Sequence, residues 1–349
     1  MEDYRIGLPT SLWRPDGSAE FPSYDLRALE ELPGVRLTRF ESRAALTPAD
    51  LQGLDAAVLL GERLEAASLP ADGRLLHVAR MGVGYDTVDV AACTAADIVL
   101  TITPDAVRRP MAVASLGYLL AITGRLLIKD RMTRRGPDGW AERTRHHGMG
   151  LTGRTLGIVG LGNIGLEFAR LAAPLEMRMI GHDPFVDPAA ARAQGIELVA
   201  LDDLFRRADV VSLNCPLTEA THHLVNAERL ALMKPEAFLI NTARGPVVDQ
   251  PALVAALQAG TIAGAALDVQ EQEPSPADEP LHALDNVILA PHALGWTDEL
   301  WANMARINEA DMRAVLRGEA PGNAVNPEVF ERPGFQARLK DLAERRGGA

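Results

Sequence analysis

Short apolar runs of strand length recur along the chain, separated by stretches in which apolar residues return every three or four positions. In the first hundred residues the runs cover 4–8, 35–40, 56–60, 75–80 and 98–102, with helix-like stretches at 25–32 and 87–95. Near-continuous apolar strands alternating with helical patterns predict parallel sheets covered on both faces. A long, mostly apolar stretch at 104–127 predicts a helix that crosses between domains, with Pro110 ending a first short turn or kinking it. The alternation resumes with strands at 155–159, 177–181, 210–214, 237–242, 262–269 and 287–290. A helix at 249–260 has an acidic start and a glycine stop.

Composition narrows this picture. A chain of 349 residues, 47% of them apolar, is long enough for two α/β domains with separate cores. A net charge of -12 argues against nucleic acid or an anionic membrane as a partner, so a small anion needs a local cationic site. The two cysteines, Cys93 and Cys215, have no metal spacing, so neither a metal nor a disulfide framework is expected. The amino terminus, MEDYRIGLPT, lacks both a basic segment and an apolar core, and no run reaches membrane length. The expectation is a soluble cytoplasmic protein.

One stretch carries specific chemistry. The strand at 155–159 runs without a gap into Gly160-Leu161-Gly162-Asn163-Ile164-Gly165 and then an amphipathic helix pattern. Gly160 suits the tight turn, Gly162 lets the backbone approach a pyrophosphate, and Gly165 lets helix and strand pack closely, leaving amides at the helix N-terminus to face an anion. Asp183 ends the next strand, eighteen residues past Gly165. A carboxylate there accepts hydrogen bonds from a ribose diol and repels a 2'-phosphate, which favours NAD over NADP. The less favoured reading, given its place in this fingerprint, is that Asp183 merely starts the turn before Pro184.

Other positions are more ambiguous. The loop at 9–23, with Trp13, Arg14 and Phe21, is a surface Ω-loop or a cleft lining. The turn Met81-Gly82-Val83-Gly84-Tyr85-Asp86 is an ordinary strand-to-helix turn or, through unobstructed amides, a carboxylate receptor. Arg108 and Arg109 read as solvated helix charges, or as groups that reach a substrate. The basic stretch 129–150 has Trp140 as its only aromatic anchor, which speaks against a single-strand binder and for an arm that contacts a second subunit. Cys215 has no neighbouring base and reads as an inert lining thiol. Arg244 follows a strand end and precedes a glycine, a place from which its planar fork can bind a carboxylate or carbonyl oxygen. Glu273 and His292 both follow strand ends. Singly they are a solvated acid and a turn histidine; together they form an acid–base pair, because a carboxylate bonded to imidazole favours the imidazolium.

GLGNIG with Asp183, NTARG at 241–245, LDVQEQEP at 267–274, PHALGWT at 291–297 and NAVNPEV at 323–329 resemble the D-isomer-specific 2-hydroxyacid dehydrogenases, in order, from about Leu75 to Val329. The first seventy residues match only loosely. The resemblance implies two Rossmann-like or flavodoxin-like parallel-sheet domains, with the NAD domain (105–296) inserted into a discontinuous substrate domain (1–104 and 297–330) and a C-terminal tail at 331–349. It implies interconversion of a 2-oxo acid and a D-2-hydroxy acid by hydride transfer with NAD(H). It places Arg244 as the substrate-orienting cation, His292 as proton donor or acceptor and Glu273 as the partner that favours its imidazolium. Val83 and Gly84 would hold the substrate carboxylate. Within the cofactor-binding turn of Gly160, Gly162 and Gly165, Asn163 and Ile164 would meet the pyrophosphate, and Asp183 the ribose. Cys215, Pro216, Thr242, Ala243, Arg244, Asp268 and His292 would line the rest of the cofactor site. A homodimer is the expected assembly.

Some positions depart from the family pattern. Val113 stands where many members have a glutamate, and Leu294 and Trp296 stand where small residues are usual, so no family substrate transfers. A formate dehydrogenase would carry glutamine at Glu273, and a phosphite dehydrogenase a lysine near Val83; neither stands here. The alternative is an NAD(H)-responsive corepressor or sensor with little turnover.

Overall fold

The structure, a computed structural model, describes residues 3–346. The chain divides into two units, one formed by the described parts of Met1–Val107 and Trp296–Ala349, the other by Arg108–Gly295. The sequence expectation set these boundaries at 104/105 and 296/297.

In the first unit five parallel strands, β1 (Tyr4–Pro9), β2 (Val35–Phe40), β3 (Ala56–Leu59), β4 (His77–Arg80) and β5 (Val99–Thr101), lie in the order β2-β1-β3-β4-β5. Order reverses between β1 and β3, the flavodoxin-like arrangement, whose switch point faces ligands at the strand carboxyl ends. All four residues of β3 are buried, as the apolar run requires. The expected helix at 25–32 is reduced to a 3-10 turn, Arg27–Leu29, and that at 87–95 to Val90–Ala95, whose cap is Asp89. Charged Glu30 and Glu31 beside Pro33 leave too short an apolar stripe for further turns.

The second unit has seven parallel strands: β6 (Thr155–Val159), β7 (Arg178–His182), β8 (Ile196–Leu198), β9 (Val210–Leu213), β10 (Phe238–Asn241), β11 (Gly264–Leu267) and β12 (Val287–Leu289). Their order is β12-β11-β10-β9-β6-β7-β8, with the reversal at β6, where the glycine turn begins. Successive residues of one strand feed opposite cores: Phe238 and Ile240 join the cluster that includes Leu119 and Phe168, while Leu239 joins the one that includes Leu204 and Leu253.

The helix Pro104–Thr123 runs through Pro110 without a break. It stops at Gly124 and Arg125, the latter in the left-handed region at φ 51°. The basic stretch beyond is helical, Leu126–Arg134 and Pro137–Glu142, followed by a 3-10 turn at Arg143–Arg145. The segment expected as a C-terminal tail contains the helix Pro333–Arg346; Phe335 is fully buried and Arg338 donates to the carbonyls of Arg74 and Leu75. Residues 347–349 of that expectation lie outside the described residues. Among the described residues, no single helix is long and apolar enough to cross a membrane.

Candidate functional site

The glycine turn after β6 divides into two closed positions and one open one. Gly160 has φ +90°, and a Cβ on it would lie 2.6 Å from the Cys215 amide nitrogen. A Cβ on Gly165 would lie 2.1 Å from the Gly160 carbonyl oxygen. Neither obstacle can move, because both are backbone. Around Gly162, by contrast, nothing lies within 4 Å of a Cβ, and Gly162 and Asn163 are exposed. Asn163 and Ile164 begin the helix Asn163–Ala172 there, so unpaired amides at its positive end border open space. This is a cradle that fits a pyrophosphate.

Asp183, just past β7, is half-buried. Its Oδ2 accepts from the Leu161 amide at 2.8 Å and its Oδ1 from the Phe185 amide at 2.8 Å. Each carboxylate oxygen retains a further acceptor position for a diol. Cys215 backs the turn, and burial pushes its thiol up to about 11, so it stays protonated at neutral pH. Pro216, exposed, follows it.

The polar groups at the other end of the sheet follow β10, β11 and β12. Asn241, the last residue of β10, bridges the turn that carries Arg244: its Oδ1 accepts from the Ala243 amide at 3.0 Å, and its Nδ2 donates to the Arg244 carbonyl at 2.9 Å. The half-buried Arg244 side chain donates through Nη1 to the Ala243 carbonyl at 2.8 Å. Thr242 places its hydroxyl oxygen 3.1 Å from that of Ser115.

Asp268, just past β11, is 2% exposed. Its carbonyl accepts from the His292 amide at 2.7 Å, and its Oδ1 accepts from the amides of Ala293 and Leu294, each at 3.0 Å. Burial raises its carboxyl above the usual range, and the backbone bonds and nearby His292 oppose that rise. Those three bonds hold His292 at φ +54°, a left-handed conformation that a non-glycine residue rarely adopts. From there its Nδ1 lies 2.8 Å from Glu273 Oε2. Glu273 Oε1 accepts from the Gln270 amide at 3.2 Å, and the peptide before Pro274 is cis. Side-chain exposures of 47% for His292 and 38% for Glu273 leave the pair accessible to a ligand.

The second unit therefore gathers the glycine turn, Asp183, Cys215, Thr242, Ala243, Arg244, Asp268, Glu273 and His292 along the carboxyl ends of β6, β7, β9, β10, β11 and β12, the ligand side of such a sheet. Val83 and Gly84 belong to the first unit, half-buried after β4. The turn that holds them is pinned by Gly82 (φ +114°), whose amide donates to the Thr103 hydroxyl at 2.9 Å and whose carbonyl accepts from the Thr103 amide at 2.9 Å. In the same unit Phe21, from the 9–23 loop, stacks on Trp301 at 3.9 Å and meets Trp296 edge-on at 5.3 Å. Arg109 reaches neither sheet edge nor turn; it pairs with Glu167 at 2.9 Å.

Three residues escaped sequence reasoning. Met111, Ser115 and Tyr118 share one helix face at i, i+4 and i+7. A Cβ on Gly295 would meet Met111 Sδ at 2.2 Å, Ser115 meets Thr242, and Tyr118 donates to the Leu267 carbonyl at 3.1 Å. Their spacing was the available signal, masked by an apolar helix that offers several such stripes.

Known proteins match this arrangement. Residues 116–293 match the model of the D-isomer specific 2-hydroxyacid dehydrogenase NAD binding domain. A glyoxylate reductase of Korarchaeum cryptofilum is 42% identical over 285 residues, which cover 80% of this chain and 85% of that protein. A D-3-phosphoglycerate dehydrogenase of Methanocaldococcus jannaschii is 37% identical over 306 residues, covering 86% of this chain but 57% of that longer protein. The crystal structure of a glyoxylate reductase from Paecilomyes thermophila superposes with a TM-score of 0.79 at 27% identity, covering 94% of this chain and 99% of the other.

Proposed function

The chain belongs to the D-isomer-specific 2-hydroxyacid dehydrogenases, and from that premise we propose that it interconverts a small 2-oxo acid and the D-2-hydroxy acid, with NAD(H) preferred to NADP(H). Membership makes it a nicotinamide-dependent oxidoreductase acting on 2-hydroxy acids. The observation that carries the residue assignment is the 2.8 Å contact between His292 Nδ1 and Glu273 Oε2, on a backbone locked by Asp268.

The bound cofactor supplies or accepts the hydride. In the reductive direction negative charge develops on the substrate's carbonyl oxygen, and a fixed guanidinium stabilises that charge more in the transition state than in the ground state. Arg244 is placed in this role because the Asn241 bridge fixes its backbone. Glu273, bonded to Nδ1, orients the ring and leaves Nε2 of His292 to deliver the proton that completes the alcohol. Oxidation reverses these roles. Val83 and Gly84 are assigned the substrate carboxylate. Asn163 and Ile164 are assigned the pyrophosphate, with Gly162 leaving the space for it, and Asp183 the ribose diol. The relatives named glyoxylate reductase support a small 2-oxo acid as the substrate class.

Consumption of NADH against a panel of small, branched and aromatic 2-oxo acids, repeated with NADPH, tests this reading. Turnover with at least one acid and a preference for NADH is expected. His292→Ala should lower turnover ~10²-fold or more with NADH binding retained. Silence across the panel with NADH bound would favour a sensor, and an active His292→Ala enzyme would remove the acid–base assignment.

A further inference from the structure

A second imidazole–carboxylate contact adjoins the first. Glu271 Oε1 lies 2.7 Å from His223 Nε2. The rest of Glu271 grips the start of the helix Gln250–Gln258: its amide donates to Gln250 Oε1 at 2.9 Å, and its Oε2 accepts from the Gln250 amide at 3.2 Å. An ionised Glu271 only accepts, so His223 carries its proton on Nε2 whether neutral or charged.

The backbone of His223 is tied just as closely. It sits at φ +49°, its ring stacks on His222 with centroids 4.0 Å apart, and its amide donates to the Pro246 carbonyl at 2.8 Å. Pro246 stands two residues after Arg244, and Glu271 two residues before Glu273. Between these two segments there is no room for adjustment: a Cβ on Gly245 would lie 1.8 Å from the Gln270 carbonyl oxygen and 2.6 Å from the Glu271 amide nitrogen.

We infer that His223 is a positioning residue which, through its amide to Pro246 and its ring to Glu271, clamps the Arg244 turn and the Glu273 loop in one register. The inference rests on the roles proposed above for Arg244, Glu273 and His292. It goes beyond them by giving the site a part that touches neither substrate nor cofactor. The physical need is clear. Arg244 and Glu273 stand on separate segments, after β10 and β11, and Glu273 reaches His292 from a loop rather than a strand. A misplacement of about 1 Å at a reacting group costs on the order of 10²-fold in rate. Gly245 keeps the two segments close, but glycine has no side chain with which to hold them; His223 bonds to both.

The test uses the full-length enzyme with His223→Ala, His223→Gln, Glu271→Ala and the double variant His223→Ala with Glu271→Ala, measured for kcat, KM and NADH affinity by calorimetry. We expect each alanine variant to lose about 10-fold in kcat, with NADH affinity within about 2-fold of wild type. The double variant should be no slower than the slower single one, since residues acting through one contact are non-additive. His223→Gln, which still offers a donor, should recover most of the loss. Wild-type kcat in His223→Ala, or losses that multiply in the double variant, would overturn the clamp. Should His223→Ala fail to fold, His223→Gln and Glu271→Ala decide: no rate loss in Glu271→Ala overturns it. His292→Ala serves as the control. If that enzyme is active, the acid–base reading has failed; if it is inactive while His223→Ala is not, only the clamp has.

Discussion

Asp183 binds a backbone amide with each oxygen, one from Leu161 in the glycine turn and one from Phe185 beyond it. The carboxylate is therefore oriented before any ligand arrives, and little side-chain freedom is lost when a diol binds. A hydrogen bond to a charged group contributes about 1.5–3 kcal/mol. Asp183→Ala should accordingly weaken NADH binding by roughly 10-fold or more and narrow the gap between NADH and NADPH, read by calorimetry with both cofactors; an unchanged ratio would remove Asp183 as the selector. Such residues were legible because strand ends and glycine turns leave local marks in a sequence. His223 and Glu271 leave none. They are 48 positions apart, each is an ordinary loop residue by itself, and only the packing of Gly245 on Gln270 brings them into reach. The resemblance put Asp268 in the cofactor site, but nothing in the sequence marked it as the residue that holds His292 in a left-handed conformation, since that bond depends on the register of β11 against β12.

At the scale of elements, the helix that opens at the glycine turn is tied to a neighbour by charge. Glu167 on Asn163–Ala172 bonds Arg170 of its own helix at 2.7 Å and Arg109 of Pro104–Thr123 at 2.9 Å. Bonds from Arg170 first, and then Arg109, hold its carboxyl at about 2, down from 4.5. A carboxylate whose folded value is depressed contributes stability that is fully present above its unfolded value and is lost as pH falls through the folded one. The contribution should be complete above about 4.5 and fade towards about 2. Both arginines are roughly half exposed, so solvent limits it to about 1 kcal/mol. Glu167→Gln should cost that much in urea denaturation at pH 6 and close to nothing at pH 2. An equal difference at both values would assign the loss to packing rather than charge. This pairing also explains why Arg109 was hard to read: a basic residue near a helix start looks the same whether it meets water, a ligand or the next helix. The 129–150 stretch was illegible for a related reason. Lys and Arg are good helix formers, yet they leave no apolar stripe to count.

At the scale of the molecule, the distribution of exposed apolar residues is uneven. Of the nine large apolar side chains exposed among the described residues, five, Val113, Leu120, Leu126, Leu127 and Trp140, fall in the helices between Pro104 and Glu142, with Trp140 68% exposed, while Tyr85, Phe185, Leu198 and Trp296 lie elsewhere. Apolar surface concentrated in one segment marks a contact more often than it marks a free face. The 129–150 stretch adds six Lys and Arg against three Asp and Glu, on a chain whose net charge is -12. A second copy of this chain supplies both an apolar counterpart and an excess of acidic groups, so we propose a homodimer through these helices. Two α/β domains and the ligand edge of the second sheet could be read from alternating strands and helices, but an assembly could not, because exposure is a property of the fold and not of the residue. Light scattering at micromolar concentration should give twice the chain mass for the wild type. Trp140→Glu combined with Leu127→Glu should give the single mass with unchanged far-ultraviolet circular dichroism, because buried carboxylates without partners oppose association strongly. The charge component makes a separate demand: added salt screens opposite charges, so dimers held mainly by the basic stretch should dissociate in high salt, and dimers held mainly by Trp140 and the leucines should persist. A wild-type monomer at every salt concentration would show that these side chains stay exposed in solution and would refute the dimer.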